Sequence, residues 1–221
     1  MVNLYIVRHG ETLNNVNRII QGWANSALTP KGEAQAIADG KQLADVHFDS
    51  AWASDLKRQQ ETAQLILDQN KTGSVPEISI DNGLRELSYG KYDGESYVLL
   101  NEGIGKATGV YDYREYRKQV GNMVFADVMA STDETGKAET CEVLQTRMMD
   151  SIDRICRMTE EAGGGNVLMV SSGASMGLLM PILDKVNGDK TYVNNGAVVT
   201  VKYEDGEYEV VSIVDPVVEG F

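Results

Sequence analysis

Histidine, cysteine and positive charge are all scarce in this chain of 221 residues, and each scarcity narrows what it can be. Of the two cysteines, Cys141 and Cys156, neither has a histidine nearby, so they lack the spacing of a zinc site. One pair cannot staple a chain of this size either, and reduced, buried thiols are expected. Lys and Arg total 20 against 33 Asp and Glu, a formal charge of −13. That balance argues against a protein held on nucleic acid or an anionic membrane by its overall charge, while leaving room for a local basic pocket. The only histidines are His9 and His47, which limits any chemistry that needs several imidazoles.

No basic leader precedes the first apolar run, so no signal peptide is expected and a cytoplasmic location is. The one long stretch without charge, Ala162 to Leu183, contains several glycines, three serines and Pro181. It reads as buried strand, turn and helix rather than as a membrane span. No repeat, low-complexity tract or Pro/Ser-rich linker divides the chain. With 42% hydrophobic residues there is material for one sizeable core, so a single domain over residues 1–221 is expected.

What is present begins with short apolar runs at Leu4 to Val7 and Val167 to Val170, each ending in a glycine-containing turn. Ser50 to Ala53 reads as another short strand. Thr29-Pro30 offers an N-cap and a first-turn proline for a helix carrying Ala36, Ile37, Gly40, Leu43 and Ala44. Ser54 is placed to cap a helix running towards Leu67, and Leu144, Met148, Ile152 and Ile155 mark a helix within residues 138–162. A further helix is expected from Gly173 to about Val186. The end reads as a hairpin turning at Asp205-Gly206. Residues 91–137 show no clear period and read as an irregular insertion with helical pieces, a cap over a site. Alternating strands and helices predict a three-layer α/β/α fold with a mostly parallel central sheet and an antiparallel edge. Ligands of such sheets bind at the carboxyl ends of strands, where Arg8-His9-Gly10 and Ser171-Ser172-Gly173 both fall.

An arginine beside a histidine after a buried strand gives a guanidinium suited to phosphate oxygens and an imidazole that can be base, ligand or nucleophile. Those residues alone are also compatible with a core-edge histidine next to a surface arginine. The wider pattern resembles the histidine phosphatase (phosphoglycerate mutase-like) superfamily. The likeness runs through Arg8-His9-Gly10-Glu11-Thr12 with Asn14, Gln21-Gly22-Trp23, Leu28-Thr29-Pro30-Lys31-Gly32 and Ser54-Asp55-Leu56-Lys57-Arg58. It continues through Leu84-Arg85-Glu86-Leu87, Gly90, Asp93-Gly94, Glu139-Thr140, Arg147 and Asn195-Gly196. The resemblance implies that His9 attacks phosphorus and carries the phosphoryl group, with Glu86 as the acid that serves the leaving oxygen and then the hydrolytic water. It implies phosphate binding by Arg8 and Arg58, with Asn14 and Gln21 as further oxygen contacts and Ser172 beside them. No metal or other cofactor is implied, and the expected partner is a small phosphorylated substrate.

The family's second histidine is expected after the late strand, where this chain has Ser172. His47 lies outside the motifs and is expected on the surface. Losing one preorganised donor to the transferring oxygens typically costs about 10²–10³ in rate, so phosphate binding with strongly reduced turnover is expected. That leaves a hydrolytic phosphatase, a phosphate-binding pseudoenzyme and a phosphoglycerate mutase as readings. Glu86 is followed by Leu87-Ser88-Tyr89-Gly90 rather than the mutases' Arg-His-Tyr-Gly, which favours the phosphatase. Gly173-Ala174-Ser175-Met176-Gly177 also matches a nucleophile elbow with Ser175 as a serine hydrolase nucleophile, but no histidine follows it to complete that triad. Tyr92, Tyr97, Tyr111, Tyr113 and Tyr116 are expected to pack the insertion, with lining a substrate pocket as their alternative use.

Overall fold

The computed structural model describes residues 1–185 and 193–218. Among them, six strands form one sheet: β1 (Val2–Arg8), β2 (Ser50–Ala53), β3 (Ile78–Ile80), β4 (Gly165–Ser171), β5 (Val198–Glu204) and β6 (Glu207–Val214). Their order is β3-β2-β4-β1-β5-β6, with the first four parallel and the last two antiparallel. The mixed sheet with an antiparallel edge is as the alternation predicts. The short edge strand β3 carries no sequence signal of its own, since Ile78–Ile80 is mostly exposed.

Side chains alternate across the two central strands. Val2, Leu4, Ile6, Val167 and Met169 join one core, and Val7, Leu168 and Val170 the other. The second core is covered by α2 (Pro30–Gln42) and α3 (Lys57–Leu67), through Leu43, Ala63, Ile66 and Leu67. The first is covered by α6 (Cys141–Glu161) and α7 (Gly173–Leu183), with Leu144, Met148, Ile152, Ile155 and Cys156 facing in. Both cysteines are free and buried. Among the described residues, no helix is long and apolar enough to cross a membrane.

Helix starts follow capping chemistry at α2, where the Thr29 hydroxyl accepts from the Gly32 N–H and Pro30 takes the first position. The expected cap at Ser54 is corrected. Leu56 occupies the N-cap of α3, while the Ser54 hydroxyl accepts from the Leu56 N–H at 3.2 Å and shapes the turn before the helix. Helix α7 stops at Leu183, and the expected end near Val186 lies outside the described residues.

The stretch read as irregular contains two regular helices, α4 (Tyr97–Thr108) and α5 (Tyr113–Ser131), after a short α1 (Leu13–Val16) early in the chain. Its missing period has a physical cause. Leu100 and Ile104 of α4 and Phe125, Ala126 and Met129 of α5 are buried, but α5 is interrupted at Gly121 (φ +82°). Its first half therefore has a different inward face from its second. Tyr97 and Tyr113 meet edge-to-face at 5.2 Å, Tyr92 is buried, and Tyr111 is exposed.

One buried group stands out in the α2 layer. Asp39 is fully buried and neither carboxyl oxygen has a hydrogen-bond partner. Burial, with the nearby Asp215 carboxylate, pushes its pKa from an ordinary 3.8 up to about 8. Its folded form holds a proton that the unfolded chain releases, so stability present below pH 3.8 is lost as pH rises through about 8. Asp39→Asn should flatten that slope, raising the denaturant midpoint relative to the parent protein at pH about 8 more than at about 4. Equal differences at the two pH values would contradict it.

Candidate active site

Strand β1 ends where it is flanked on both sides, and that places Arg8 and His9. The His9 N–H donates to the Ser171 carbonyl of β4 at 3.0 Å, and the Arg8 N–H to the Ala197 carbonyl at 3.0 Å. Arg8 in turn accepts from the Gly196 N–H. The Asn195 side-chain amide donates to the His9 carbonyl at 3.0 Å. Thus the Arg8-His9-Gly10 and Ser171-Ser172-Gly173 turns lie side by side at the carboxyl edge.

His9 is buried, with Nδ1 lying 2.8 Å from the Gly10 carbonyl. In the neutral ring this carbonyl selects the tautomer with hydrogen on Nδ1, leaving a lone pair on Nε2. Burial first, then the charges of Arg58 and Arg8, hold the His9 pKa well below its ordinary 6.5. The ring is kept neutral rather than cationic.

Arg58 is committed at both outer nitrogens and Arg8 at Nη1, and both are open at Nε. Arg8 Nη1 donates to the Val193 carbonyl at 2.6 Å, and Arg58 donates from Nη1 to Ala24 and from Nη2 to Gly22, each at 2.8 Å. The Nε atoms of both are buried without a partner. Burial lowers the Arg58 pKa to about 10, against the raising influence of Glu86 and Asp93, so the group stays cationic at neutral pH. Two glycines make these placements possible. A Cβ on Gly173 would sit 2.6 Å from the Arg8 guanidinium carbon, and one on Gly22 would sit 1.6 Å from Asp93 Oδ1.

Glu86 is buried and closes the other side. Its Oε1 accepts from the Leu87 N–H, the Ser175 N–H and the Ser175 hydroxyl, each at 2.8 Å, and Oε2 accepts from the Ala174 N–H at 3.2 Å. Its backbone is clamped as well. Arg147 Nη2 and Trp23 Nε1 both donate to the Glu86 carbonyl at 2.8 Å. Arg147 is itself fixed by a two-pronged ion pair with Glu139. This explains why Glu139 and Arg147 accompany the site in sequence.

A cavity of about 770 Å³ brings Arg8, His9, Gln21 and Glu86 together. Arg58, fully buried, stands behind that wall rather than on it. Asn14 is not among the lining residues; its neighbour Asn15 is. Thr12 caps α1, and its hydroxyl accepts from the Asn15 N–H in the N3 position, so the helix turns residue 15 inward and residue 14 aside. Ser172 is also absent from the wall. It is fully buried and its hydroxyl accepts from Gln59 Nε2 at 2.9 Å. Ser175 is no exposed elbow: it is fully buried and its hydroxyl is turned to Glu86. His47 is exposed beside Asp49 and is not among the residues lining the cavity. Among the described residues no group of three or more His, Cys, Asp or Glu side chains converges as a metal site would.

The opposite wall comes from α5. Tyr113, Arg114, Arg117, Lys118 and Asn122 line the cavity with Tyr97 of α4. The cations were not singled out from sequence, yet their signal is there. Positions 114, 117 and 118 share one helical face in a chain short of positive charge.

A neutral imidazole, two guanidiniums and a carboxyl at one sheet edge are equipment suited to phosphoryl transfer without a metal. The chain belongs to the histidine phosphatase superfamily, branch 1, whose family model matches residues 4–216. It is 28% identical over 207 residues to a broad-specificity phosphatase of Saccharomyces cerevisiae, covering 92% of this chain and 80% of that protein. It is 31% identical to a 2,3-bisphosphoglycerate-dependent phosphoglycerate mutase of Cytophaga hutchinsonii, over 83% of this chain and 78% of the relative. A solved phosphoglycerate mutase from Bacillus anthracis shares the fold with a TM-score of 0.89 at 37% identity, covering 96% of this chain and 92% of that one.

Titration of the His9 ring by NMR should find its midpoint well below the ordinary value of 6.5. A midpoint at 6.5 would show that neither burial nor the arginines govern it.

Proposed function

We propose that the protein hydrolyses small phosphomonoesters through a phosphohistidine at His9. The observation that carries this reading is the His9 ring, its Nδ1 engaged by Gly10 and its charge suppressed by burial and then by Arg58 and Arg8. The Nε2 lone pair attacks phosphorus while the two guanidiniums balance the charge of the non-bridging oxygens. As the phosphorus–oxygen bond breaks, its electron pair leaves with the alkoxide oxygen, which takes a proton from Glu86. Water then attacks the phosphohistidine, its proton passes to Glu86, and the phosphorus–nitrogen pair returns to Nε2 with release of inorganic phosphate. Gln21 and Asn15 supply further amide groups to the bound oxygens, and Ser172 is the position from which a second imidazole is missing.

The cations of α5 favour a substrate with a second anionic group, a carboxylate or another phosphate, beyond the reacting one. Arg114 stacks 4.9 Å from the Tyr97 ring centre, and Arg117 Nε donates to Asn122 Oδ1 at 2.7 Å, so both are held in place. The mutase similarity at 37% identity supports a second reading, phosphoryl exchange between positions of one substrate. The Leu87-Ser88-Tyr89-Gly90 segment after Glu86 weighs against it.

Mass spectrometry after incubation with a phosphoester should locate a phosphoryl group on His9. His9→Ala should lose that label and at least about 10³-fold in turnover. Ser172→His should raise turnover by about 10²-fold or more. Inactivity of the parent protein with a strong gain in Ser172→His would make it a phosphate-binding pseudoenzyme. Equal activity in both would overturn the role assigned to position 172. Arg117→Ala should raise KM about tenfold for a substrate bearing a second anion, with a smaller change for p-nitrophenyl phosphate. Equal changes for both substrates would remove the second-anion reading.

A further inference from the structure

We propose that Asp93 is a positioning residue for Arg58, acting through residues 22–24 to set the direction in which the guanidinium meets a bound phosphoryl group. The inference rests on the phosphatase reading above, which gives Arg58 that task. Arg58 takes its direction from two carbonyls. Its Nη1 donates to Ala24 and its Nη2 to Gly22, each at 2.8 Å, and of its three nitrogens only Nε has no acceptor. Two bonds across a planar fork fix its tilt as well as its position, so Nε points where those carbonyls send it. The charge so placed is felt at His9, where it disfavours the protonated ring.

The turn that supplies the carbonyls is held from its other side by Asp93. Backbone bonds join the two segments as far as Ile20, whose N–H donates to the Glu95 carbonyl and whose carbonyl accepts from the Gly94 N–H, each at 2.8 Å. Past that point the Asp93 side chain takes over. Its Oδ1 accepts from the Tyr89 N–H at 2.9 Å, and the Trp23 N–H joins that of Tyr89 in stabilising the carboxylate. The Ser88 hydroxyl adds a longer bond to Oδ2, at 3.4 Å. Gly22 completes the fit. It stands at φ +46°, and a Cβ on it would fall 1.6 Å from Asp93 Oδ1, so the carboxylate occupies the place of the missing side chain. Trp23 Nε1 gives the turn a second anchor, on the Glu86 carbonyl. Asp93 thus ties the backbone on which Arg58 leans to the loop that carries Glu86. Its charge also acts on Arg58 directly, raising the Arg58 pKa alongside Glu86.

Calorimetric binding of tungstate, a phosphate-shaped dianion, tests this. Asp93→Ala should weaken tungstate binding about tenfold. Asp93→Asn keeps an oxygen for Gly22 and the Tyr89 N–H but loses the charge, and should recover affinity to within about threefold of the parent protein. Gly22→Ala, whose methyl would displace the carboxylate, should match Asp93→Ala. For p-nitrophenyl phosphate, Asp93→Ala should raise KM about tenfold and change kcat by less than about threefold, because the non-bridging oxygens are held before as well as during transfer. An Arg58→Lys background keeps the cation but cannot span both carbonyls, and there Asp93→Ala should cost less than about twofold. Asp93→Asn as weak as Asp93→Ala, or an undiminished loss in the Arg58→Lys background, would overturn the proposal. A parent protein labelled on His9, and weakened towards tungstate by Arg58→Lys but not by Asp93→Ala or Gly22→Ala, would leave the phosphatase reading standing and this one refuted. A parent protein that neither binds tungstate nor becomes labelled would remove both.

Discussion

The bond from the His9 N–H to the Ser171 carbonyl, with the Arg8 pair to Ala197 and Gly196 on its other side, fixes where Arg8 and His9 stand. It continues the registers of β1 with β4, where Arg8 faces Ser171, and of β1 with β5, where Val7 faces Val198. A strand pinned on both sides cannot slip by one residue without turning Val2, Leu4 and Ile6 from one core to the other. The position of the imidazole is thus set by the hydrophobic alternation of a strand that ends before it. The histidine itself contributes no apolar contact to that decision, which leaves its chemistry free of a structural task.

The same edge gathers charge against the grain of the molecule. In a chain of formal charge −13, five cationic side chains serve one cavity, four on its wall and Arg58 behind it. Holding the half-buried Arg8 near the buried Arg58 costs desolvation and mutual repulsion, and backbone carbonyls of Val193, Ala24 and Gly22 offset only part of it. The unpaired Nε atoms are what remains. In the proposed reaction a phosphoryl oxyanion answers that imbalance, while burial, together with the same two cations, holds His9 neutral. In that reaction, anion binding and nucleophile activation would therefore be one electrostatic arrangement. The acidic exterior keeps the rest of the surface unattractive to polyanions.

Much of this was legible in the sequence because it is written in local patterns. Val167 to Val170 and Leu4 to Val7 are apolar runs at the right length for central strands, and Thr29-Pro30 starts a helix by capping chemistry alone. The residues that escaped are those whose role is set by distant partners. Asn15 rather than Asn14 faces the cavity because a capping box rotates α1, a one-residue matter that spacing cannot resolve. Arg114, Arg117 and Lys118 sit on a helix whose period is broken at Gly121. Ser175 resembled a nucleophile because strand, turn and helix are the same in both folds; only the Glu86 carboxyl, brought from another loop, tells them apart.

That carboxyl also explains why position 172 can change without disturbing the fold. A residue between β4 and α7 would ordinarily cap the helix, and its replacement would cost about 1 kcal/mol. Here the first turn is satisfied by Glu86, which is in turn held through its backbone by Arg147 and Trp23. The Ser172 side chain has only to fill a small buried space and accept from Gln59. The Gln59 amide is tied in further, its Oε1 accepting from the Ser54 N–H and its Nε2 also donating to the Leu84 carbonyl. Neither strand register nor helix start depends on an imidazole at 172. In the proposed reaction such a ring would add a donor at the reacting oxygens, so its absence would fall on turnover rather than on the architecture.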